Sequence, residues 1–258
     1  MMSLFPVNRY AFKVWYRDLV VWTKYWWTSL LGALGEPILY FLAMGYGLGT
    51  FVRDIDGIPY IKFLAPALIA SSVMHSASFE TTYSTYTRME VQKTFNSIAV
   101  TPINVREVVA GEILWGATKS LLPGFVMFLT VVFLGYVDSW MALAYVPVLL
   151  ITALLFSSLG MLMTSFAKDY DFFTYYFTLF LEPMFLFSGT FFPLYSLPPL
   201  VQKVAWLLPL AHPVTVGRCL FTGAASVQMV FLHSSFLLVM ALVLFAWAVF
   251  RMEKRMVK

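Results

Sequence analysis

Long apolar runs separated by short polar segments set the pattern of this chain. Between Ser139 and Ala167 there is no Asp, Glu, Lys or Arg, and Cys219–Phe250 is equally free of charge. A helix needs about 20 largely apolar residues to cross roughly 30 Å of hydrocarbon. Ser139–Ala167 therefore reads as one membrane span, and the second half of the other run, from about Gln228, as the last. The same rule predicts four more spans, over about Leu30–Val52, Tyr60–Tyr83, Val108–Val137 and Phe172–Phe192. The expected fold is an all-α membrane protein with six transmembrane helices. It is read as one domain: residues 1–29 an interfacial helix, 30–250 a six-helix bundle, and 251–258 a cytoplasmic tail.

Composition supports lipid as the solvent. Of the 258 residues 60% are hydrophobic and 12% charged, with a mean hydropathy of +0.80. A soluble chain runs nearer 45–50% apolar and about 25% charged, so lipid has to cover what no core of this size could bury. Orientation follows from Lys and Arg in the loops. With both termini cytoplasmic, Arg9, Lys13, Arg17, Lys24, Arg88, Lys93, Arg106, Lys168, Arg251, Lys254, Arg255 and Lys258 lie inside. Only Arg53, Lys62, Lys203 and Arg218 lie outside, and Lys119 is left within a helix. This bias, with attraction to anionic lipid, accounts for the net charge of +4 without a nucleic-acid partner. The charge-studded first 24 residues do not read as a signal peptide. The single cysteine, Cys219, excludes an internal disulfide framework and a cysteine-rich metal site.

The segments between the spans carry their own signals. On a helix, Arg9, Lys13, Arg17 and Lys24 share one face, and Phe12, Trp15, Leu19, Trp22 and Trp26 gather roughly opposite. That predicts an amphipathic helix lying in the cytoplasmic interface; a plain extension of the first span is the alternative. In the loop Ser84–Arg106, Thr87 and Glu90 have capping-box spacing, predicting a short polar helix over about Arg88–Asn96. Thr101-Pro102 then breaks the chain, and Asn104 with Glu107 restarts a helix. Such a loop helix is either a spacer or a docking surface. Pro193, Pro198, Pro199, Pro209 and Pro213 interrupt a still apolar segment. Broken backbone at membrane depth must be buried in protein or face a cavity, so re-entrant outer-leaflet helices are expected there, with Gly189 and Gly217 at turns.

Ionisable groups inside the spans are costly and usually face the bundle interior. Glu36, Glu112, Lys119 and Glu182 are of this kind, whereas Lys62 and Glu80 fall near span ends, within reach of the interface. Glu112 and Lys119, two turns apart on one face, are an intramembrane ion-pair candidate, bridged by water or by a third helix. Glu36-Pro37 and Glu182-Pro183 share a dipeptide that bends its helix, fit either for lining a path or for packing. The fifth span is dense in aromatics, Tyr175 and Tyr176 among them, which serve packing or ligand stacking. No G-x-x-x-x-G-K-[ST], H-E-x-x-H or G-x-S-x-G motif occurs. His75, His212 and His233 are scattered, with His75 read as a buried polar group. A self-contained enzyme is not expected, although an intramembrane lipid or glycan transferase would leave few signatures.

Arg88–Glu112, with its Thr101-Pro102 break and Glu107-x-x-x-Gly111, resembles the coupling helix and third-span start of type-2 ABC exporter permeases. Phe187-Ser-Gly-Thr-Phe-Phe-Pro193, Leu197-Pro-Pro, Leu208-Pro-Leu-Ala-His-Pro213 and Arg218 are similar to that family's outer-leaflet helices. Within it, Leu181–Pro193 looks most like the NodJ-type lipooligosaccharide transport permeases, while His212-Pro213 stands where the family commonly has Asn-Pro. The resemblance implies a homodimer in the bacterial cytoplasmic (inner) membrane, bound to two copies of a separate ATPase that holds ATP and Mg. The chain itself would bind no cofactor. Arg88, Glu90, Gln92, Lys93 and Phe95 would contact the ATPase. Glu36, Tyr40, Tyr175, Tyr176 and Glu182 are the candidate translocation path. The cargo expected is an amphiphile, a lipid-linked or acylated saccharide; small hydrophobic drugs are the alternative.

Overall fold

The computed structural model of the chain describes residues 7–52 and 54–256, apart from the side chains of Leu30, Ala33, Leu34, Glu36 and Ala99. Arg53, Lys258 and the Glu36 side chain, named above, lie outside the described residues. The fold is mostly helical. Helix α1 (Arg9–Trp22) starts at Asn8, whose side chain accepts from the backbone N–H groups of Tyr10 and Ala11. Helix α2 (Trp26–Leu42) runs on through a π turn, Ala43–Gly47, and a short 3₁₀ turn, Leu48–Thr50. A two-residue hairpin follows, β1 (Asp54–Ile55) against β2 (Ile58–Pro59). Asp56 and Gly57 both have positive φ there, as a type I′ turn requires.

Helix α3 (Tyr60–Phe79) continues through two π turns, Glu80–Ser84 and Thr87–Val91. The chain breaks at Lys93, in the left-handed region, and α4 (Thr94–Ala99) begins. The loop helix thus starts six residues later than expected, and the Thr87–Glu90 capping box does not form. The reason is local: the Thr87 hydroxyl donates back to the Tyr83 carbonyl and faces the Tyr170 hydroxyl, so Thr87 extends the preceding helix. Helix α5 (Val105–Phe133) does start in the expected capping box of Asn104 and Glu107.

A 3₁₀ turn, Trp140–Ala144, leads into α6 (Tyr145–Phe166). The fifth predicted span is divided into α7 (Asp171–Tyr176) and α8 (Glu182–Phe185), each followed by a π turn, Phe177–Leu181 and Leu186–Thr190. The short helix α9 (Pro199–Ala205), α10 (Ala211–Thr222) and α11 (Val227–Met256) complete the chain. Among the described residues, three helical stretches are long and apolar enough to cross a membrane: Val105–Phe133, Trp140–Phe166 and Val227–Met256. The other three predicted spans are helical as well; α2 and α3 each run into a π turn at their ends, and two π turns divide the fifth.

Helix α6 sits at the centre, packed against α3, α5 and α11. Small residues set its distance from α3: a Cβ on Gly160 would lie 2.3 Å from the Thr81 hydroxyl and 3.2 Å from the Ser78 carbonyl oxygen. Thr164 donates to the Thr81 carbonyl at the same crossing. Helices in lipid gain from such close approach. Gly160→Val should therefore cost about 1–3 kcal/mol by overpacking, visible as a lower yield of monodisperse protein and an earlier thermal transition in detergent.

Glycine is needed at position 189, where φ is +81° and the fifth span kinks. Gly217 differs from expectation. It lies inside α10, not at a turn, where an added Cβ would meet Tyr145 and Pro66 within 3 Å.

Candidate functional site

The intramembrane charges converge at one place. Glu80 ends the regular part of α3, Arg88 lies two turns further on, and Glu112 and Lys119 lie on α5. From α1 come Arg17 and Asp18. Glu112 is fully buried and receives Arg17 Nη2 at 3.0 Å, Arg88 Nη2 at 2.6 Å and Nε at 3.0 Å, and the Thr85 hydroxyl at 3.1 Å. Glu80 receives Arg88 Nη1 at 2.9 Å, Lys119 Nζ at 2.6 Å and Trp115 Nε1 at 3.0 Å. Three carboxylates face three cations, so the cluster is neutral when all six groups are ionised.

Glu112 and Lys119 do not meet directly; each takes a partner on the extension of α3. Two turns of α5 separate them by about 10 Å along the axis, and the extension of α3 fills that gap. Arg88 and Glu80 link them as Glu112–Arg88–Glu80–Lys119, which is the third-helix bridge. Two corrections follow. Glu80 does not reach the interface but is buried at the cluster's centre, and the Arg88 guanidinium is taken up by Glu80 and Glu112. Nothing in the spacing announced the role of Glu80, whose partners Trp115 and Lys119 are 35 and 39 residues away, whereas Asp18 is bridged by its neighbour Arg17 at 2.6 Å.

Helix α1 is fixed to this cluster. Ala11 and Val14 are buried against α5, Asn8 Nδ2 donates to Glu107, Trp15 Nε1 donates to the Thr118 hydroxyl, and Trp22 meets Trp115 edge-on at 6.2 Å. The basic stripe is accordingly split, because Arg17 folds inward while Arg9 and Lys13 stay exposed. Phe12 and Tyr16 remain exposed beside the buried face, fit for lipid contact. Asp18 carries the unfavourable end of the cluster. Desolvation first and repulsion from Glu112 second push its carboxyl up to about 7, against the pull of Arg88 and Arg17.

A carboxyl with a pKa raised above its unfolded value of 3.8 holds its proton more tightly in the folded state. Its contribution to stability is present below about pH 4 and is lost as the pH rises towards 7. Asp18→Asn should therefore match the parent at about pH 4 and exceed it increasingly up to about pH 7, by about 2–4 °C in midpoint per kcal/mol recovered. Thermal scans of both proteins from about pH 4 to pH 8 check this; a constant difference across that range would exclude it.

Beyond the cluster, α11 is clipped to the loop that carries α4. Arg106 makes a bidentate bridge to Glu253 at 2.7 Å, and Arg255 meets Glu90 at 3.1 Å while donating to the Thr164 and Ala167 carbonyls. Of the docking candidates, Phe95 is buried and Glu90 is engaged by Arg255 and Lys93, leaving Gln92 and Lys93 outward. Val91 and Val100, 64% and 87% exposed, are outward too and were not anticipated.

The path candidates divide as well. Tyr40 is exposed, and its ring lies 6.2 Å from Phe185 and 6.4 Å from Phe191. Glu182 stands 3.4 Å from His75 Nε2, and the His75 ring meets Phe185 edge-on. These residues share one face across α2, α3 and α8, with His75 only half-buried. Tyr175 points outward nearby, but Tyr176 is buried against Ser78, so it packs the core and faces no path. At the other end, Arg218 of α10 stacks 3.5 Å over the Phe63 ring and donates to the carbonyls of Phe63, Gly189 and Thr190, pinning the kink. His212 and His233, scattered in sequence, meet at 2.7 Å.

Long apolar helices, a buried neutral charge cluster and an exposed loop helix define a membrane protein built around a helical bundle. Residues 11–221 match the ABC-2 type transporter family, and the chain belongs to it. It is 40% identical over 218 residues to nodulation protein J of Sinorhizobium fredii (strain NBRC 101917 / NGR234), covering 84% of this chain and 83% of that protein. It is 38% identical over 229 residues to nodulation protein J of Rhizobium meliloti (strain 1021), covering 88% and 87%. The inner membrane transport permease YadH of Escherichia coli (strain K12) is 29% identical over 219 residues, 84% of each chain. The chain is thus an ABC-2 permease resembling the nodulation protein J type, of a family that lacks its own ATPase domain.

Proposed function

We propose that this chain is the permease subunit of an ATP-driven exporter, with six spans and both termini in the cytoplasm of a bacterial inner membrane. It works as a homodimer with two copies of a separate ATPase. One observation carries the reading. Helix α3 runs from the bundle through Val91 into the exposed α4 loop, and the cluster around Arg88 ties that extension to α1 and α5. The Glu90–Arg255 bridge ties it to α11. A push on the loop therefore moves four helices together instead of bending one. An ATPase that binds one arrangement more tightly shifts the equilibrium between two states of the bundle.

The cargo is an amphiphile, a lipid-linked or acylated saccharide. The aromatic face of Tyr40, Phe185 and Phe191 beside Glu182 and His75 supports this, as do the nodulation protein J relatives. The test is affinity purification from native membranes in mild detergent. A P-loop ATPase recovered near one-to-one, hydrolysing ATP faster with a glycolipid than with a hydrophobic drug, is the expected result. Recovery of the chain alone would remove the exporter reading and favour an intramembrane transferase. Stimulation by drugs only would remove the saccharide.

A further inference from the structure

A cleft of about 450 Å³ opens where the turn before α2, the extension of α3 and the start of α7 meet. Sites for small molecules commonly enclose about 300–1,000 Å³. Phe79, Tyr83 and Thr87 line it at intervals of four residues, one stripe of a helix about 12 Å long. Tyr170 stacks almost parallel to Tyr83, centroids 6.2 Å apart and planes 8° apart, and its hydroxyl lies 2.8 Å from that of Thr87. Tyr25, itself exposed on the turn after α1, forms the opposite wall.

We propose that this cleft binds the uncharged sugar headgroup of a glycolipid while the acyl chain stays in the cytoplasmic leaflet. The inference rests on the exporter reading for its role and on the cleft's chemistry for its ligand. Flat aromatic walls suit the apolar faces of pyranose rings, and the Tyr, Thr87, Ser84 and Gln92 polar groups suit sugar hydroxyls. Charge decides against a phosphate. Among the described residues, the one ionic side chain in the lining is Arg88, whose guanidinium Glu80 and Glu112 already engage, and no lining carboxylate is present to select a cation. The cleft is therefore polar but electrically spent, which favours a neutral, hydroxyl-rich ligand over an anionic one.

The test uses the purified chain, with whatever ATPase accompanies it, in nanodiscs. The probes are galactosyl diacylglycerol and phosphatidylglycerol of equal chain length, each with a photoreactive diazirine on the headgroup. The galactolipid is expected to label peptides containing Tyr25, Tyr83 or Tyr170, and unlabelled galactolipid to compete. Tyr25→Ala, at an exposed turn, should lower labelling about five- to tenfold by loss of one ring contact. Phe133→Ala, at an exposed position outside the cleft lining, should stay within about twofold of the parent. Equal labelling of these peptides by phosphatidylglycerol, or galactolipid labels only elsewhere, overturns the cleft assignment. Glycolipid-stimulated ATP hydrolysis is measured on the same sample. Stimulation with labels outside the cleft sinks this inference alone, whereas cleft labelling with no ATPase recovered sinks the exporter reading alone.

Discussion

Arg88→Met is expected to be the most damaging single change outside the helix crossings. It leaves Glu80 with only Lys119 and Trp115, and Glu112 with only Arg17 and Thr85, at positions that are almost fully buried. Breaking a buried pair by removing one partner costs about 3–5 kcal/mol, because the surviving charge is stranded. For a chain of this size that corresponds to a midpoint roughly 6–20 °C lower. The double change Arg88→Met with Glu112→Gln should regain a large part of the loss, since it removes a carboxylate together with its main cation. Its Glu80–Lys119 bridge stays intact. Apparent midpoints in one detergent, measured for parent, single and double variants, decide the matter. A double variant no better than the single would mean that the cluster acts through packing and not through paired charge.

The second large effect belongs to the loop. If the α4 loop is the contact with an ATPase, the outward residues flanking α4 should carry the affinity: Val91, Gln92, Lys93 and Val100. Lys93→Glu combined with Val100→Asp places two new negative charges there and removes an apolar contact. Co-purification of the ATPase should fall at least about tenfold, as expected for the loss of a central apolar anchor, while the thermal midpoint stays within about 2 °C of the parent. Mutation of Phe95 would not discriminate, since its buried ring supports the loop from inside. Retention of the ATPase at the parent ratio would place the coupling surface elsewhere on the chain.

Much of this was legible along the chain, and the reasons are physical. Hydrocarbon thickness imposes length and apolarity on a span, so the runs that became α5, α6 and α11 could be read within a few residues. The Asn104–Glu107 cap was legible because its partners are three residues apart. The Thr87–Glu90 signal had the same spacing and failed. There a hydroxyl found the Tyr83 carbonyl and Tyr170, and continuing α3 satisfied more backbone than starting a new helix.

The candidate site was legible only as a set of misplaced charges. That Glu112 and Lys119 needed buried partners followed from the cost of a bare ion in hydrocarbon. Which partners they took did not follow, since Arg17, Glu80 and Arg88 are brought in by helix packing over separations of up to 95 residues. The same holds for the cleft, whose walls come from three segments of the chain, and for His212 beside His233. Sequence alone determined the solvent of this protein, the three runs long and apolar enough to cross a membrane, the basic character of the loops and the family resemblance, because these depend on composition and short-range spacing. Tertiary structure decided which charges neutralise one another, which aromatics face a cavity and which surface of the loop is free, because close approach at positions such as Gly160 sets how the helices meet.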